Sequence, residues 1–179
     1  FDFSLSRAPA DRITLGTAGP RPPEFYGFEP DNLAPTFNGT SGFVTANASL
    51  LSGRGTFTIG GWIRPVATGS RIGLFGQNDC VEFGFIDAST IQCWTPGGGS
   101  LNVAYPFAMN TWHHVVAVGD GTNIRLYFDG ALAGTGGAAT GSYGSSTQPV
   151  RIGGGGIHDS HGNFFNGLID GGVGCPRAA

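Results

Sequence analysis

The chain has 179 residues, 33 of them glycine, with nine basic and twelve acidic side chains and a formal net charge of −3. This length suffices for one domain with a hydrophobic core, whereas the weakly acidic balance argues against nucleic-acid binding, which requires a basic surface. No apolar run of the sequence approaches the length that spans a membrane. Glycine or proline interrupts nearly every window of ten residues, so short strands are expected in place of helices.

The first predicted element is a proline-rich arm over residues 1–34, which precedes a domain over residues 35–179. Because proline lacks a backbone N–H, the arm is not expected to supply a central strand, and we expect it to be dispensable for folding. Its aromatic cluster, Phe25, Tyr26 and Phe28, is unfavourable to leave in water. We predict that this cluster binds another chain, with docking on the domain's own surface as the alternative.

Residues 112–130 contain the clearest strand pattern of the domain. Residues 112–118 are apolar and rich in β-branched side chains, and the Asp120-Gly121 pair that follows is typical of a tight hairpin turn. Residues 124–128 alternate apolar and polar side chains, which is the period of a strand with one buried face. Many short strands of this kind, separated by glycine-rich turns, favour an all-β sandwich or barrel.

Four segments carry short motifs in a fixed order: Phe-Asn-Gly at residues 37–39, Phe-Thr-Ile-Gly-Gly-Trp at 57–62, the hairpin at 112–130 and Phe-Asn-Gly-Leu-Ile-Asp at 165–170. Together they resemble the laminin-G-like jelly-roll modules of the concanavalin A-like lectin/glucanase superfamily. The resemblance begins at Pro35 and implies a two-sheet antiparallel jelly-roll sandwich. It also implies that Trp62 and Trp112 lie in the core. Members of this superfamily mostly bind ligands, and only some of them cleave their ligands.

The glutamates argue against catalysis. The glucanases that this chain resembles place two Glu and an Asp close together on one strand, so that the carboxylates share a face and act as nucleophile and acid. The chain has only three glutamates, Glu24, Glu29 and Glu82, and Glu82 has no acidic residue two or four positions further on. The sequence also lacks the Gly-x-Ser-x-Gly motif of a nucleophile elbow. We therefore predict that the domain is not an enzyme.

Asp170 matches an aspartate that, in several branches of the resembled superfamily, helps to bind a structural Ca²⁺ against the opening strand. Asn38 and Gly39 are then the ligands implied on the opposite side, since calcium prefers oxygen ligands. Asn38 stands where the family usually has Asp, which removes one negative charge and weakens such a site. The alternative is that Asp170 only caps the end of its strand through hydrogen bonds.

Two other groups of residues are candidates for a metal site or a disulfide. His158, Asp159 and His161 are imidazole and carboxylate groups of the kind that suits a transition metal, but their glycine-rich loop also fits a solvated polar loop. Cys80 and Cys93 are predicted to lie on different faces of the sheet, too far apart for a disulfide. We expect both to be small buried hydrophobic residues.

Trp94 is the best candidate for a carbohydrate platform, which requires an exposed aromatic ring beside planar polar groups. If the alternate residues of its strand face the core, Trp94 and Gln92 share the outer face with Glu82 on the neighbouring strand. Tyr105 follows a glycine-rich turn and is predicted to lie nearby. The alternative is that another loop of the same domain covers Trp94.

The sequence therefore favours a non-catalytic carbohydrate-recognition or adhesion module on a surface or secreted assembly, extracellular or at the cell surface. The alternative is a structural decoration or fibre protein of a virus particle, which acts through protein–protein contacts. The expected partner is a glycan or another protein of the assembly, and a homo-oligomer is one possible form of that assembly. Neither nucleic acid nor membrane insertion is expected.

Overall fold

The computed structural model describes residues 13–46, 48–138, 141–155, 157–159 and 162–175, with side chains described up to residue 171 in the last strand. Within these ranges the chain forms thirteen strands and no helix, and hence no helix able to cross a membrane. The strands are β1 (Ile13–Ala18), β2 (Leu33–Asn38), β3 (Val44–Thr45), β4 (Phe57–Ala67), β5 (Ile72–Gln77), β6 (Val81–Asp87), β7 (Thr90–Thr95), β8 (Gly99–Ala104), β9 (His113–Gly119), β10 (Ile124–Phe128), β11 (Ala131–Gly136), β12 (Val150–Ile152) and β13 (Asn166–Cys175).

The strands form two sheets that pack face to face as a sandwich. The seven-stranded sheet has the order β1-β2-β13-β4-β9-β10-β11, and the six-stranded sheet has the order β3-β12-β5-β6-β7-β8. Neighbouring strands in both sheets run antiparallel. The predicted two-sheet antiparallel jelly roll of the concanavalin A type is confirmed.

The core lies between the sheets and follows from the alternation of side chains along each strand. Ile59 and Ile63 of β4 point inward from the seven-stranded sheet, and Phe83 and Phe85 of β6 meet them from the other sheet, all four fully buried or nearly so. Burial of each such side chain contributes about 1.5–3 kcal/mol relative to exposure. The residues between them point away from the core, and this outward set forms the surfaces on which a ligand can bind.

The predicted boundary between the arm and the domain falls inside β2. Strand β1 lies within the predicted arm and pairs with β2, where the Thr17 and Thr36 hydroxyls are hydrogen-bonded at 2.9 Å. No proline occurs in β1, and the prolines of the described part of the arm lie mainly in the loop of residues 19–32, where they leave no ladder bond unmade. The described part of the arm is therefore an edge strand and a loop of the sandwich.

Trp62 and Trp112 lie outside the core, contrary to expectation. Trp62 alternates with buried Ile63 along β4, so its ring projects from the outer face of the seven-stranded sheet and is half-buried. Trp112 immediately precedes β9 and is also half-buried. The Phe-Thr-Ile-Gly-Gly-Trp motif placed its tryptophan correctly on a strand but did not reveal which face it occupies.

Cys80 and Cys93 are free thiols with no exposed surface, as expected of small buried hydrophobic residues. Cys93 faces the core from β7. The prediction that the two thiols lie on different faces is wrong, since Cys80 also belongs to the core cluster. It lies in the turn before β6 and so does not follow the alternation of that strand. Its thiol donates a hydrogen bond to the Gly144 carbonyl at 3.4 Å.

Candidate functional site

A cleft of about 870 Å³ opens on the outer face of the seven-stranded sheet. Its floor comes from the outward side chains of β4 and β9, which include Trp62, Arg64 and His114. One side is formed by the arm loop, and the other by residues 110–113 together with Asp129. The residues that line the cleft are Ala18, Gly19, Arg21, Pro22, Pro23, Glu24, Phe25, Trp62, Arg64, Asn110, Thr111, Trp112, His113, His114 and Asp129.

Trp62 is the central aromatic residue of the cleft. It lies directly opposite His114 in the pairing of β4 with β9, and the two ring centroids are 5.3 Å apart. Phe25 and Phe28 of the arm loop pack nearly perpendicular to the indole, with centroids 5.3 and 5.5 Å away. The aromatic cluster of the arm thus lies on the domain's own surface and leaves Tyr26, which is 85% exposed, as its outward-facing member.

The arm loop is held in place by a small set of polar contacts around Asn32. The Asn32 amide donates hydrogen bonds to the Asp170 carboxylate at 2.5 Å and to the Pro20 carbonyl at 3.1 Å. The Asn32 carbonyl in turn accepts from the Arg21 Nε at 2.9 Å and from the Gly19 N–H at 3.0 Å. These contacts connect the arm loop to β13 and fix one side of the cleft.

The opposite side is fixed by Asp129, which follows β10. Its carboxylate is hydrogen-bonded to the His113 Nδ1 at 2.8 Å and accepts from the His114 N–H at 2.8 Å. The His113 ring also stacks on Phe107 with centroids 3.6 Å apart. Burial lowers the pKa of His114 below its usual value, although the charge of Asp129 opposes this shift. The Asp129 carboxylate therefore stabilises this side of the cleft through its hydrogen bonds to His113 and His114.

Arg64, on the floor of the cleft, is hydrogen-bonded to the loop at the edge of the cleft. Its Nε donates to the Asn110 carbonyl at 2.9 Å, and the Asn110 N–H donates back to the Pro65 carbonyl at 2.7 Å. Asn110 has a φ of 64°, a left-handed conformation that asparagine tolerates better than most residues. The loop that carries Trp112 is thus tied to β4, the same strand that carries Trp62.

The residues predicted to bind carbohydrate are brought together only in part. Glu82, Gln92 and Trp94 do lie on the outer face of the six-stranded sheet, with Trp94 directly opposite Glu82. Tyr105 is instead 6% exposed and packs in the core against Phe85, with ring centroids 5.1 Å apart. The glycine-rich turn precedes β8, which separates it from Tyr105, so the turn could not show from sequence which side the ring would take.

Two of the three remaining residues are already engaged within the protein. Glu82 is 2% exposed and accepts hydrogen bonds from the Asp79 and His158 N–H groups, both at 3.0 Å. Gln92 is 7% exposed and donates to the Asn102 side chain at 2.8 Å. Of these three residues only Trp94 is half-buried and accessible. Neither of its predicted planar polar neighbours, Glu82 and Gln92, is free to bind a sugar beside it.

The residues implied as calcium ligands are not brought together. The Asn38 side chain accepts from the N–H groups of residues 40, 41 and 42 at 3.0–3.2 Å and so caps its own turn. Asn38 pairs with Asn166, whereas Asp170 lies four residues further along β13, which corresponds to about 13 Å of strand. Asp170 is occupied by Asn32, and the described residues do not fit a calcium ion shared by Asp170, Asn38 and Gly39.

The histidine-rich loop was the other candidate metal site. His158 and Asp159 are exposed, and His161 lies outside the described residues. Among the residues that the structure describes, no group of three or more His, Cys, Asp or Glu side chains is arranged to hold a metal ion.

The cleft itself was not predicted from the sequence. Its residues come from the arm, from β4 and from the segment before β9, and Trp62 and Trp112 had been assigned to the core. The available signal was the polar residue beside each tryptophan: Arg64 two positions after Trp62, and His114 two positions after Trp112. In a strand, residues two apart share a face, so Arg64 places Trp62 on the outer side.

The fold is shared with solved structures of low sequence identity. Domain 4 of the extracellular GH43 arabinanase AbnA from Geobacillus stearothermophilus, in complex with arabinotriose, is 17% identical with a TM-score of 0.55, over 88% of this chain and 79% of that one. A candidate carbohydrate-binding protein from Bacteroides ovatus is 14% identical with a TM-score of 0.64, over 88% of this chain and half of that one. Domains LG4-5 of the mouse laminin α1 chain are 20% identical with a TM-score of 0.55, over 79% of this chain and 40% of that one.

Among curated protein sequences, none is significantly similar to this chain. The laminin-G-like model described as concanavalin A-like lectin/glucanases superfamily matches residues 38–172. That range contains the strands from β3 to β12 and the floor of the cleft. The chain belongs to the concanavalin A-like lectin/glucanase superfamily, as a laminin-G-like domain.

Proposed function

We propose that this domain is a non-catalytic carbohydrate-recognition or adhesion module of a secreted or surface assembly, and that the glycan binds in the cleft on the seven-stranded sheet. The observation that carries the proposal is the presence of two half-buried tryptophans, Trp62 and Trp112, in one cleft with planar polar side chains. The cleft volume of about 870 Å³ lies within the range of small-molecule sites.

The chemistry of the lining suits a sugar. Aromatic rings offer large, rigid apolar surfaces, on which the C–H face of a pyranose or furanose ring packs. Arg64, Asn110 and His114 add hydrogen-bonding groups around that surface. A few such groups, held by their neighbours, fix the orientation of a ligand whose hydroxyls alternate with apolar carbon.

The carboxylates in the cleft support binding without cleavage. Glycosidases use a pair of carboxyl groups, about 5 Å apart in retaining enzymes, one of which must be held as an acid. Glu24 and Asp129 both line the cleft, but Asp129 is engaged by His113 and the His114 N–H, and Glu24 is exposed to solvent. Within the described residues the cleft thus lacks a buried carboxyl group that is free to act as the acid.

The structural neighbours support the proposal at the level of the fold. The arabinanase domain was solved with arabinotriose bound, and that arabinanase is extracellular. The virus-particle alternative loses its main sequence support, because Phe25 and Phe28 pack against Trp62 of the same chain.

The test is binding to a panel of polysaccharides by affinity electrophoresis, followed by isothermal titration with oligosaccharides of the best binder. We expect Trp112→Ala to weaken binding by tenfold or more and Trp94→Ala, on the opposite sheet, to leave it unchanged. If Trp94→Ala abolishes binding and Trp112→Ala does not, the site lies on the six-stranded sheet. If no glycan binds the wild-type protein, the proposed function is wrong.

A further inference from the structure

We infer that the cleft selects acidic glycans, whose uronic-acid carboxylates are bound by Arg21 and Arg64. This inference rests on the proposed function and names the class of sugar that the same site takes. Both arginines line the cleft together with the two tryptophans. Arg21 belongs to the arm loop and Arg64 to β4, so the two cations approach the ligand from a wall and from the floor.

Neither guanidinium group has a carboxylate partner within the described part of the chain. The ion pair of Arg125 with Asp120 and the contact of His113 with Asp129 include neither Arg21 nor Arg64. A cation that lines a cleft without a carboxylate of its own favours an anionic ligand, since the protein supplies no competing charge pair to break.

Both guanidinium groups are already oriented by hydrogen bonds. Each uses its Nε to bind a backbone carbonyl at 2.9 Å, Asn32 for Arg21 and Asn110 for Arg64. The terminal amino groups then remain for a ligand, and a planar guanidinium matches the two oxygens of a carboxylate in a bidentate pair. A fixed donor loses little side-chain entropy on binding.

The negative side chains of the cleft set the limit of this preference. Glu24 and Asp129 are both exposed carboxylates that oppose an anionic ligand, although Asp129 is also hydrogen-bonded to His113 and to the His114 N–H. We therefore expect the charge of Glu24 to weaken the binding of acidic glycans. Glu24 itself is not needed for that binding. Removing the charge of Glu24 should therefore raise the affinity for an acidic glycan, whereas removing that of Arg21 or Arg64 should lower it.

The experiment compares oligogalacturonate with its fully methyl-esterified form, which keeps the sugar backbone and removes the charge. We expect the acid to bind at least tenfold more tightly, with an affinity that falls as salt rises. Arg21→Gln and Arg64→Gln should each weaken binding of the acid by roughly tenfold more than they weaken binding of the ester. Glu24→Gln should strengthen binding of the acid.

Arg54→Gln is the matched control. The Arg54 Nε also donates to a backbone carbonyl, that of Leu50 at 3.3 Å, but Arg54 lies away from the cleft. Arg54→Gln removes the same charge and the same kind of hydrogen bond as the two cleft variants. Because Arg54 lies away from the cleft, this substitution should not change the affinity. Circular dichroism melting curves of all four variants establish that they are folded.

The outcomes separate this inference from the proposed function. If acid and ester bind equally, or if Arg54→Gln weakens binding as much as Arg64→Gln, the selection of acidic sugars is wrong while carbohydrate binding stands. A clear preference for dextran sulfate over oligogalacturonate contradicts recognition of carboxylate. If folded wild-type protein binds neither these probes nor any neutral polysaccharide, both the inference and the proposed function fail.

Discussion

Trp62 and Ile63 are adjacent on β4 but face opposite sides of the sheet, and they should separate binding from stability. Ile63 is fully buried in the core, whereas Trp62 is half-buried against Phe25 and Phe28. We expect Ile63→Ala to lower the free energy of unfolding by about 2–5 kcal/mol. Trp62→Ala should lower it by less, because less surface is removed from water, and should abolish glycan binding. Urea denaturation and affinity electrophoresis measure the two effects.

Val66→Ala is the control for this comparison. Val66 also belongs to β4, is 45% exposed and does not line the cleft. It should change neither stability nor binding appreciably. If Trp62→Ala destabilises the protein as much as Ile63→Ala, then Trp62 mainly anchors the arm loop, and its role as a sugar platform is contradicted.

His114 should make stability depend on pH. Burial lowers its pKa in the folded protein, while in the unfolded chain the pKa is about 6.5. The unfolded state then binds more protons as the pH falls below about 6.5, so stability is full above this value and declines towards the lowered folded pKa. We expect the melting temperature to fall between pH 7.5 and pH 5, and to fall less in His114→Gln.

His158→Gln, the same substitution at an exposed histidine outside the cleft, is the matched control. A His114→Gln protein whose melting temperature falls as steeply as that of the wild type would show that other groups cause the dependence. The carboxyl groups of Asp87 and Asp120, whose pKa values are lowered by hydrogen bonds from nearby backbone N–H groups, titrate at a lower pH and do not interfere.

The N-terminal arm is the element whose structure differs most from the prediction, because it pairs with β2 and contacts Asp170. A chain that starts at Leu33 retains β2 but loses β1, the arm loop and the contact of Asn32 with Asp170. We expect it to fold with a clearly lower melting temperature and without glycan binding, because Trp62 loses Phe25 and Phe28 and the cleft loses one wall. Differential scanning fluorimetry and affinity electrophoresis test both effects.

A chain that starts at Ile13 is the matched truncation, since it retains every described contact of the arm. It should keep the melting temperature and the affinity of the full chain. If the chain that starts at Leu33 melts at the same temperature and binds glycan as well as the chain that starts at Ile13, then the arm loop is not part of the site.

The strands that could be predicted are those in which a local pattern is sufficient. The alternation in residues 124–128 and the turn at Asp120-Gly121 identify β9 and β10 directly, since the side-chain period and the turn chemistry agree. Strand β1 could not be found in this way. Four of its six residues, Thr14, Leu15, Gly16 and Ala18, are exposed, so neither of its faces is buried well enough to mark the strand clearly.

At the scale of the whole molecule, the fold could be recognised from sequence while the site could not. Four ordered motifs sufficed for the sandwich, because each reports a strand with one buried face. The cleft depends on contacts between distant parts of the chain, such as Asn32 and Asp170, which are 138 positions apart. Such contacts follow from the order of strands in the sheet, which no local pattern contains. The faces of Trp62 and Tyr105 were misassigned for the same reason.

The two core thiols should report whether the sandwich opens only as a whole. Burial raises the pKa of Cys80 to about 11 and raises that of Cys93 further, aided in Cys93 by the charge of Glu82. With a pKa of about 11, roughly one Cys80 side chain in a thousand is ionised at pH 8. The thiolate is the reactive form of cysteine, and both sulfurs are also shielded from solvent.

We therefore expect folded Cys175→Ser protein, which leaves only these two cysteines, to resist Ellman's reagent at pH 8. In urea, both thiols should become reactive together, along the same transition that circular dichroism follows, since each lies between the two sheets. If Cys80 reacts well below the urea midpoint while Cys93 does not, the turn before β6 opens by itself. Cys80→Ala and Cys93→Ala, each made in the Cys175→Ser background, assign the signal to one sulfur or the other.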